Sequence, residues 1–62
     1  ELLRNHRLRH AAHLLRQGET VAQVGYQTGF ESPAYFTQCF RQLYGVTPSQ
    51  YAFKKMLKPH LL

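Results

Sequence analysis

The 62-residue sequence has a single cysteine and only three acidic residues. The lone thiol, Cys39, can form no internal disulfide, and without clustered partners it indicates no zinc site. So few carboxylates, with no glycine-rich loop to hold a phosphate, form no catalytic constellation. The composition therefore predicts a protein that is not an enzyme and that holds neither a cofactor nor a metal.

Long apolar runs are absent as well. No segment approaches the roughly 18 apolar residues that cross a bilayer, and no charged stretch followed by an apolar one opens the chain as in a signal peptide. We therefore expect a soluble, cytoplasmic protein with no membrane partner. The chain starts at Glu1 within a helical pattern, so we expect it to be a fragment of a longer protein.

Positive charge is plentiful. Eight Lys and Arg residues against three acids give a net charge of +5, which favours a polyanionic partner such as nucleic acid or an acidic membrane. Charge alone does not choose between these partners. Lys54, Lys55 and Lys58 form either a solvated charge run or a patch that steers phosphates.

Four segments carry helical periodicity, and none shows the sustained alternation of a strand. The first, over about residues 2–17, has apolar residues at helical spacing: Leu8, Ala11, Ala12 and Leu15. The second begins at Thr20, which forms a capping-box pattern with Gln23, and it ends near Thr28. These patterns predict an all-α fold of about four helices.

The third and fourth helices have clear start and stop signals. Ser32 and Pro33 mark the start of the third helix, and Gly45 marks its end. Thr47 opens a second capping box ahead of the fourth helix, which ends before Pro59.

The third helix divides into two faces. The apolar face is expected in the core with Phe30, and its residues are Phe36, Cys39, Phe40 and Leu43. The opposite face is expected to point outward, and its residues are Ala34, Thr37, Gln38 and Arg41. Tyr35 lies at the edge between them.

The second and third helices are spaced as in a helix-turn-helix. Gly29 permits a sharp turn between them, and Gly25 permits close backbone approach at a cost of about 1 kcal/mol in helix propensity. In that motif the second helix protrudes and enters a major groove about 12 Å wide. The alternative is an ordinary helical hairpin, which would use the same glycines.

The pattern from Val21 to Tyr51, V-x-x-V-G-x-x-x-G-F-E-S-x-x-Y-F-x-x-x-F-R-x-x-x-G-x-T-P-x-x-Y, resembles the signature of AraC/XylS-type transcription regulators. Arg7, Ala11, Leu14 and Leu15 are similar to the long linker helix of that family. The resemblance implies a homeodomain-like bundle with a linker helix over residues 1–18, a second helix-turn-helix unit over 19–58 and a tail over 59–62. It also implies that a first unit and any effector domain belong to a longer protein.

Some positions depart from the family pattern. Gly25 stands where the family usually has alanine, and Ala52 and Phe53 stand where a basic residue is common, so a phosphate contact is not expected there. Pro33 and Ala34 replace longer polar side chains at the start of the reading helix.

The outward face of the third helix supplies the candidate base contacts. Gln38 can donate and accept together, as bidentate recognition of adenine requires. Thr37 and Ala34 carry methyl groups that can pack on a thymine methyl, and Pro33 stands at the leading edge of the helix. Ordinary solvation is the alternative for these side chains.

Phosphate contacts are expected at three places. The Arg41 guanidinium can bind a phosphate in bidentate fashion. Ser32 is first a helix cap, although the N–H groups at that helix end can also hold a phosphate. Thr20 and Val21 begin the second helix, whose N–H groups meet either a phosphate or water.

His6, His10 and His13 fall on one helical stripe. Such spacing can bind a metal, but Arg9 and Arg16 border the stripe and would repel a cation. We expect a solvated or DNA-proximal face instead.

The sequence thus predicts sequence-specific binding of double-stranded DNA by a bacterial regulator, with the third helix in the major groove. The alternative is a helical module that docks an acidic protein such as an RNA polymerase subunit. The polymerase is also compatible with the first hypothesis as a second partner, and the fragment itself is expected to be a monomer.

Overall fold

The computed structural model of the protein describes residues 2–57, with side chains up to residue 53. Within these residues four helices follow one another: α1 (Leu2–Arg16), α2 (Val21–Gln27), α3 (Pro33–Tyr44) and α4 (Pro48–Leu57). No strand occurs in this part of the chain, so the all-α prediction is confirmed. The predictions for Lys54, Lys55, Lys58, Pro59 and the tail lie outside the described residues or side chains.

Side-chain caps fix where three of the helices begin: α2, α3 and α4. The Thr47 hydroxyl accepts from the N–H of Gln50 at 3.1 Å, and the Gln50 side chain accepts from the N–H of Thr47 at 3.0 Å. This reciprocal capping box was predicted. At α2 only half of the predicted box forms: Thr20 accepts from the N–H of Gln23 at 3.2 Å, while the Gln23 side chain accepts from the Thr20 hydroxyl rather than from its N–H.

The turn between α2 and α3 depends on Gly29. Its φ of 91° lies in the left-handed region, which glycine enters without a steric penalty. The N–H of Gly29 donates to the carbonyl of Tyr26 at 3.2 Å, and the N–H of Phe30 donates to that of Gly25 at 3.0 Å. This is the Schellman arrangement, which ends a helix and reverses the chain at once.

The core lies where the four helices meet, since each packs against the other three. Among the described side chains, nine buried apolar residues form this core: Leu8, Ala11, Ala12, Leu15, Val24, Phe30, Phe36, Cys39 and Phe40. Ala52, Tyr44 and Tyr51 pack against it from the side.

The prediction that Leu43 belongs to this core is wrong, because its side chain is 39% exposed. The core contacts of α3 follow the row of residues four apart instead. Phe36 and Phe40 lie 5.8 Å apart between ring centroids, and Phe40 and Tyr44 lie 4.6 Å apart. Tyr44 therefore covers the core at the end of α3, and Leu43 is turned to the side.

A polar contact ties the ends of α1 and α4 together. Arg16 donates from Nη1 to the hydroxyl of Tyr51 at 2.6 Å, and the Tyr51 ring lies 5.6 Å from that of Tyr44. Burial raises the pKa of the Tyr44 hydroxyl, and the Tyr51 hydroxyl raises it further, while Arg9 and Arg16 oppose the shift. Burial is the largest of these effects, and it raises the pKa because it disfavours the charged phenolate.

We expect Gly29→Ala to lower the free energy of unfolding by more than Gly18→Ala does. An alanine in the left-handed region costs about 1–2 kcal/mol at either position, since Gly18 has a φ of 99°. Only at Gly29 would the new Cβ also meet a neighbour, 3.3 Å from Cζ of Arg7; at Gly18 it would meet open space. Urea denaturation of both variants measures the difference, and equal losses would contradict a tight contact with Arg7.

Alkaline pH is expected to destabilise the protein partly through Tyr44. Its pKa is higher in the folded than in the unfolded chain, so the stabilisation is complete below pH 10.0 and is lost as the pH rises past that value. As the pH rises past 10.0, the melting temperature should fall less in Tyr44→Phe than in the unsubstituted protein. Parallel loss in both proteins would contradict this assignment.

Candidate nucleic-acid interface

The residues predicted for the outward face of α3 do lie together on one surface. Pro33, Ala34, Gln38 and Arg41 are exposed, and Thr37 is half-buried. With Gln42 they line one shallow, open surface along the helix, which we call the α3 surface. All four candidate base contacts and the candidate phosphate contact Arg41 therefore share one side of one helix.

The start of α2 borders this surface on one flank. Val21 is half-buried and lines a cleft between α2 and α3 together with Pro33 and Thr37. Thr20 precedes it, is exposed and caps the helix. The structure thus brings one predicted phosphate-contact segment beside two of the predicted base contacts.

Ser32 serves as the N-cap of α3. Its hydroxyl accepts from the N–H of Tyr35 at 3.2 Å, and its carbonyl accepts from the N–H of Phe36 at 3.0 Å. Pro33 has no N–H, so among the described residues the N–H groups of Ser32 and Ala34 are left at this helix end for an outside acceptor. Glu31 is exposed and lines the cleft between α2 and α3 as well as a second cleft, which it shares with Arg4 and Tyr35.

The aromatic side chains belong mostly to the core rather than to a base-stacking platform. Phe30, Phe36 and Phe40 are buried, as predicted, and Cys39 is buried among them. Tyr35 keeps 49% of its surface exposed at the edge of α3, with its ring centroid 6.0 Å from that of Phe30.

The histidine stripe lies on the outer side of α1. His6, His10 and His13 are exposed, and the described part of the chain contains no group of three side chains that could hold a metal ion. Within the same residues, no helix combines the length and apolar character that a membrane crossing requires.

The sequence reasoning missed two residues, one on the α3 surface and one beside it. Gln42 follows Gln38 by four residues, so the helical periodicity that identified the outward face could have included it. Arg4 is half-buried on α1 and reaches the side of α3, where it lines a cleft with Gln42. No local pattern reports that contact, because it depends on how α1 crosses α3.

Comparison with known proteins finds a matching family and several relatives. The family described as a helix-turn-helix domain matches residues 1–54. The chain is 44% identical over 52 residues to histidine kinase P4 of Formosa agariphila, covering 82% of this chain and 4% of that protein. It is 46% identical over 43 residues to the HTH-type transcriptional regulator GlxA of Rhizobium meliloti, covering 68% and 13%.

A third relative is the TCP pilus virulence regulatory protein of Vibrio cholerae, 37% identical over 54 residues, covering 86% of this chain and 20% of that protein. The chain thus spans no more than 20% of the length of any of these three relatives. No solved structure matches it significantly.

Proposed function

Because this chain belongs to the AraC-type helix-turn-helix family of DNA-binding transcription regulators, we propose that it binds double-stranded DNA sequence-specifically with α3 in the major groove. The observation that supports this most is the α3 surface, where the four candidate base contacts lie together and exposed or half-buried. An α-helix with its side chains is about 10–12 Å across, which fits a groove about 12 Å wide.

Gln38 is the central reading residue in this proposal. Its exposed amide offers one donor and one acceptor, the pair that the edge of an adenine presents in the major groove. Ala34 and Thr37 flank it with methyl groups suited to thymine, and Pro33 adds an apolar contact at the leading edge.

The phosphate contacts proposed are Arg41 and the start of α2 at Thr20 and Val21. Arg41 is exposed and can hold a phosphate by two parallel hydrogen bonds. At Ser32 the cap is the stronger role, because its hydroxyl is already engaged and the adjacent Glu31 charge opposes a phosphate. The N–H groups of Ser32 and Ala34 remain at this end to contact a phosphate.

We also propose the organisation of the parent protein. Residues 1–18 act as a linker helix and residues 19–58 as the second of two reading units, with the chain alone a non-catalytic monomer in the cytoplasm. With one unit, its affinity should fall nearer the roughly micromolar non-specific range than the specific one.

An acidic protein such as an RNA polymerase subunit is the second candidate partner. The observation that favours it is the exposure of Arg9 and Arg16 on α1, next to the histidine stripe. Both side chains are exposed and can face a negative protein surface, although Arg16 also donates to the Tyr51 hydroxyl. Binding that survives an excess of non-specific DNA would favour this role.

The proposal is tested on a duplex selected by this chain from a random DNA pool. Gln38→Ala should reduce the preference at one base pair by about 1–3 kcal/mol, because it removes a bidentate contact. Arg41→Ala should weaken binding to all sequences alike and reduce the slope of log affinity against log salt by about 0.9.

The matched control is Gln27→Ala, because Gln27 is exposed on α2 and lies outside the α3 surface. This variant should change neither the base-pair preference nor the salt slope. The proposal is wrong if the unsubstituted chain binds the selected duplex no more tightly than a scrambled one.

A further inference from the structure

The α3 surface continues beyond Gln42 onto α1. Gln42 lines the α3 surface with Gln38 and Arg41, and it also lines a neighbouring cleft with Arg4 and Asn5. The floor of that cleft is formed by Leu8 and Cys39, which are both buried. The N-terminal half of α1 therefore stands beside the surface rather than behind it.

The two flanks of α3 are thus covered by different helices. On one side Val21, at the start of α2, lies along Pro33 and Thr37; on the other, Arg4 lies along Gln42. A helix that fills the major groove has one sugar–phosphate strand on each side. If the start of α2 meets one strand, Arg4 stands on the side of the other.

Arg4 has the chemistry and the constraint that a phosphate contact requires. Its Nε is buried and makes no hydrogen bond with any described residue, while the residue as a whole is half-buried. Burial of its stem restricts the side chain, so less conformational entropy remains to be lost on binding. The buried Nε is out of reach of a phosphate, so the contact falls to the two Nη groups at the end of the side chain, which make no hydrogen bond with a described residue.

We propose that Arg4 binds a DNA phosphate on the strand opposite the start of α2, and that Gln42 contacts the same strand beside it. The inference rests on the proposed function, since it assumes α3 in the major groove. It extends the DNA interface from the helix-turn-helix onto α1 and makes that helix a binding element.

The test is the salt dependence of binding, measured by fluorescence anisotropy with the selected duplex between about 50 and 200 mM salt. Arg4→Gln should reduce the slope of log affinity against log salt by about 0.9, the value for one phosphate. Arg4→Lys keeps the charge and should keep the slope. Gln42→Ala should weaken binding about three- to tenfold, as for a neutral hydrogen bond, without changing the slope.

Arg9→Gln is the matched control. It removes the same charge from an exposed position on the same helix, one proposed for a protein partner and not for DNA, beside Tyr44 rather than beside Gln42. It should therefore leave the slope for DNA unchanged. An equal reduction by both variants would overturn the proposal, because the effect would then belong to overall charge. Circular dichroism should show the same helicity in all variants. If Arg4→Gln loses helicity, the test passes to Gln42→Ala, and an unchanged affinity in that variant overturns the proposal.

The role of Arg4 and the proposed DNA binding by α3 can fail separately. A slope reduced by Arg41→Ala but not by Arg4→Gln would overturn the role of Arg4 and leave the α3 interface intact. If the unsubstituted chain bound DNA without salt dependence, the proposed function would fail, and the role of Arg4 with it.

Discussion

Phe36 packs against the backbone of α2 at Gly25, where a Cβ would lie only 3.0 Å from the ring. The ring is also held by Phe30 and Phe40, at centroid distances of 5.1 and 5.8 Å, and it is 1% exposed. This contact sets how closely α2 and α3 approach. Because Phe36 fixes the inner face of α3, the side chains on its other side, Gln38 among them, are turned outward.

The range over which an interaction acts along the chain decides which parts of the fold could be predicted from the sequence. Caps and stop signals at Thr20, Ser32 and Gly45 act within four residues, so the helix boundaries follow from local chemistry. The exposure of Leu43 and the burial of Thr28 do not follow from local chemistry, because they depend on how neighbouring helices pack. Thr28 is 5% exposed, and its hydroxyl donates to the Val24 carbonyl at 2.7 Å, a bond that makes a buried threonine tolerable at the end of α2.

The candidate site shows the same division. Helical periodicity finds the outward residues of α3 because they belong to a single element, but it gives no information on what stands beside them. Arg4 and Gln42 line one cleft only because α1 crosses α3 in the folded chain. The bond from Arg16 to Tyr51 holds the other end of α1 against α4, so α1 is anchored along its length and supports α3 as part of one core.

The central claim is that α3 reads base edges in the major groove. It is tested most directly by replacing each adenine and guanine of the selected duplex, one at a time, with its 7-deaza analogue, which lacks the N7 acceptor of the major groove. The account predicts that affinity falls by a factor of about 5–150, equivalent to about 1–3 kcal/mol, at one adenine, and that Gln38→Ala no longer senses that change. Unaltered affinity at every 7-deaza position, with loss of binding on minor-groove substitution instead, would contradict it.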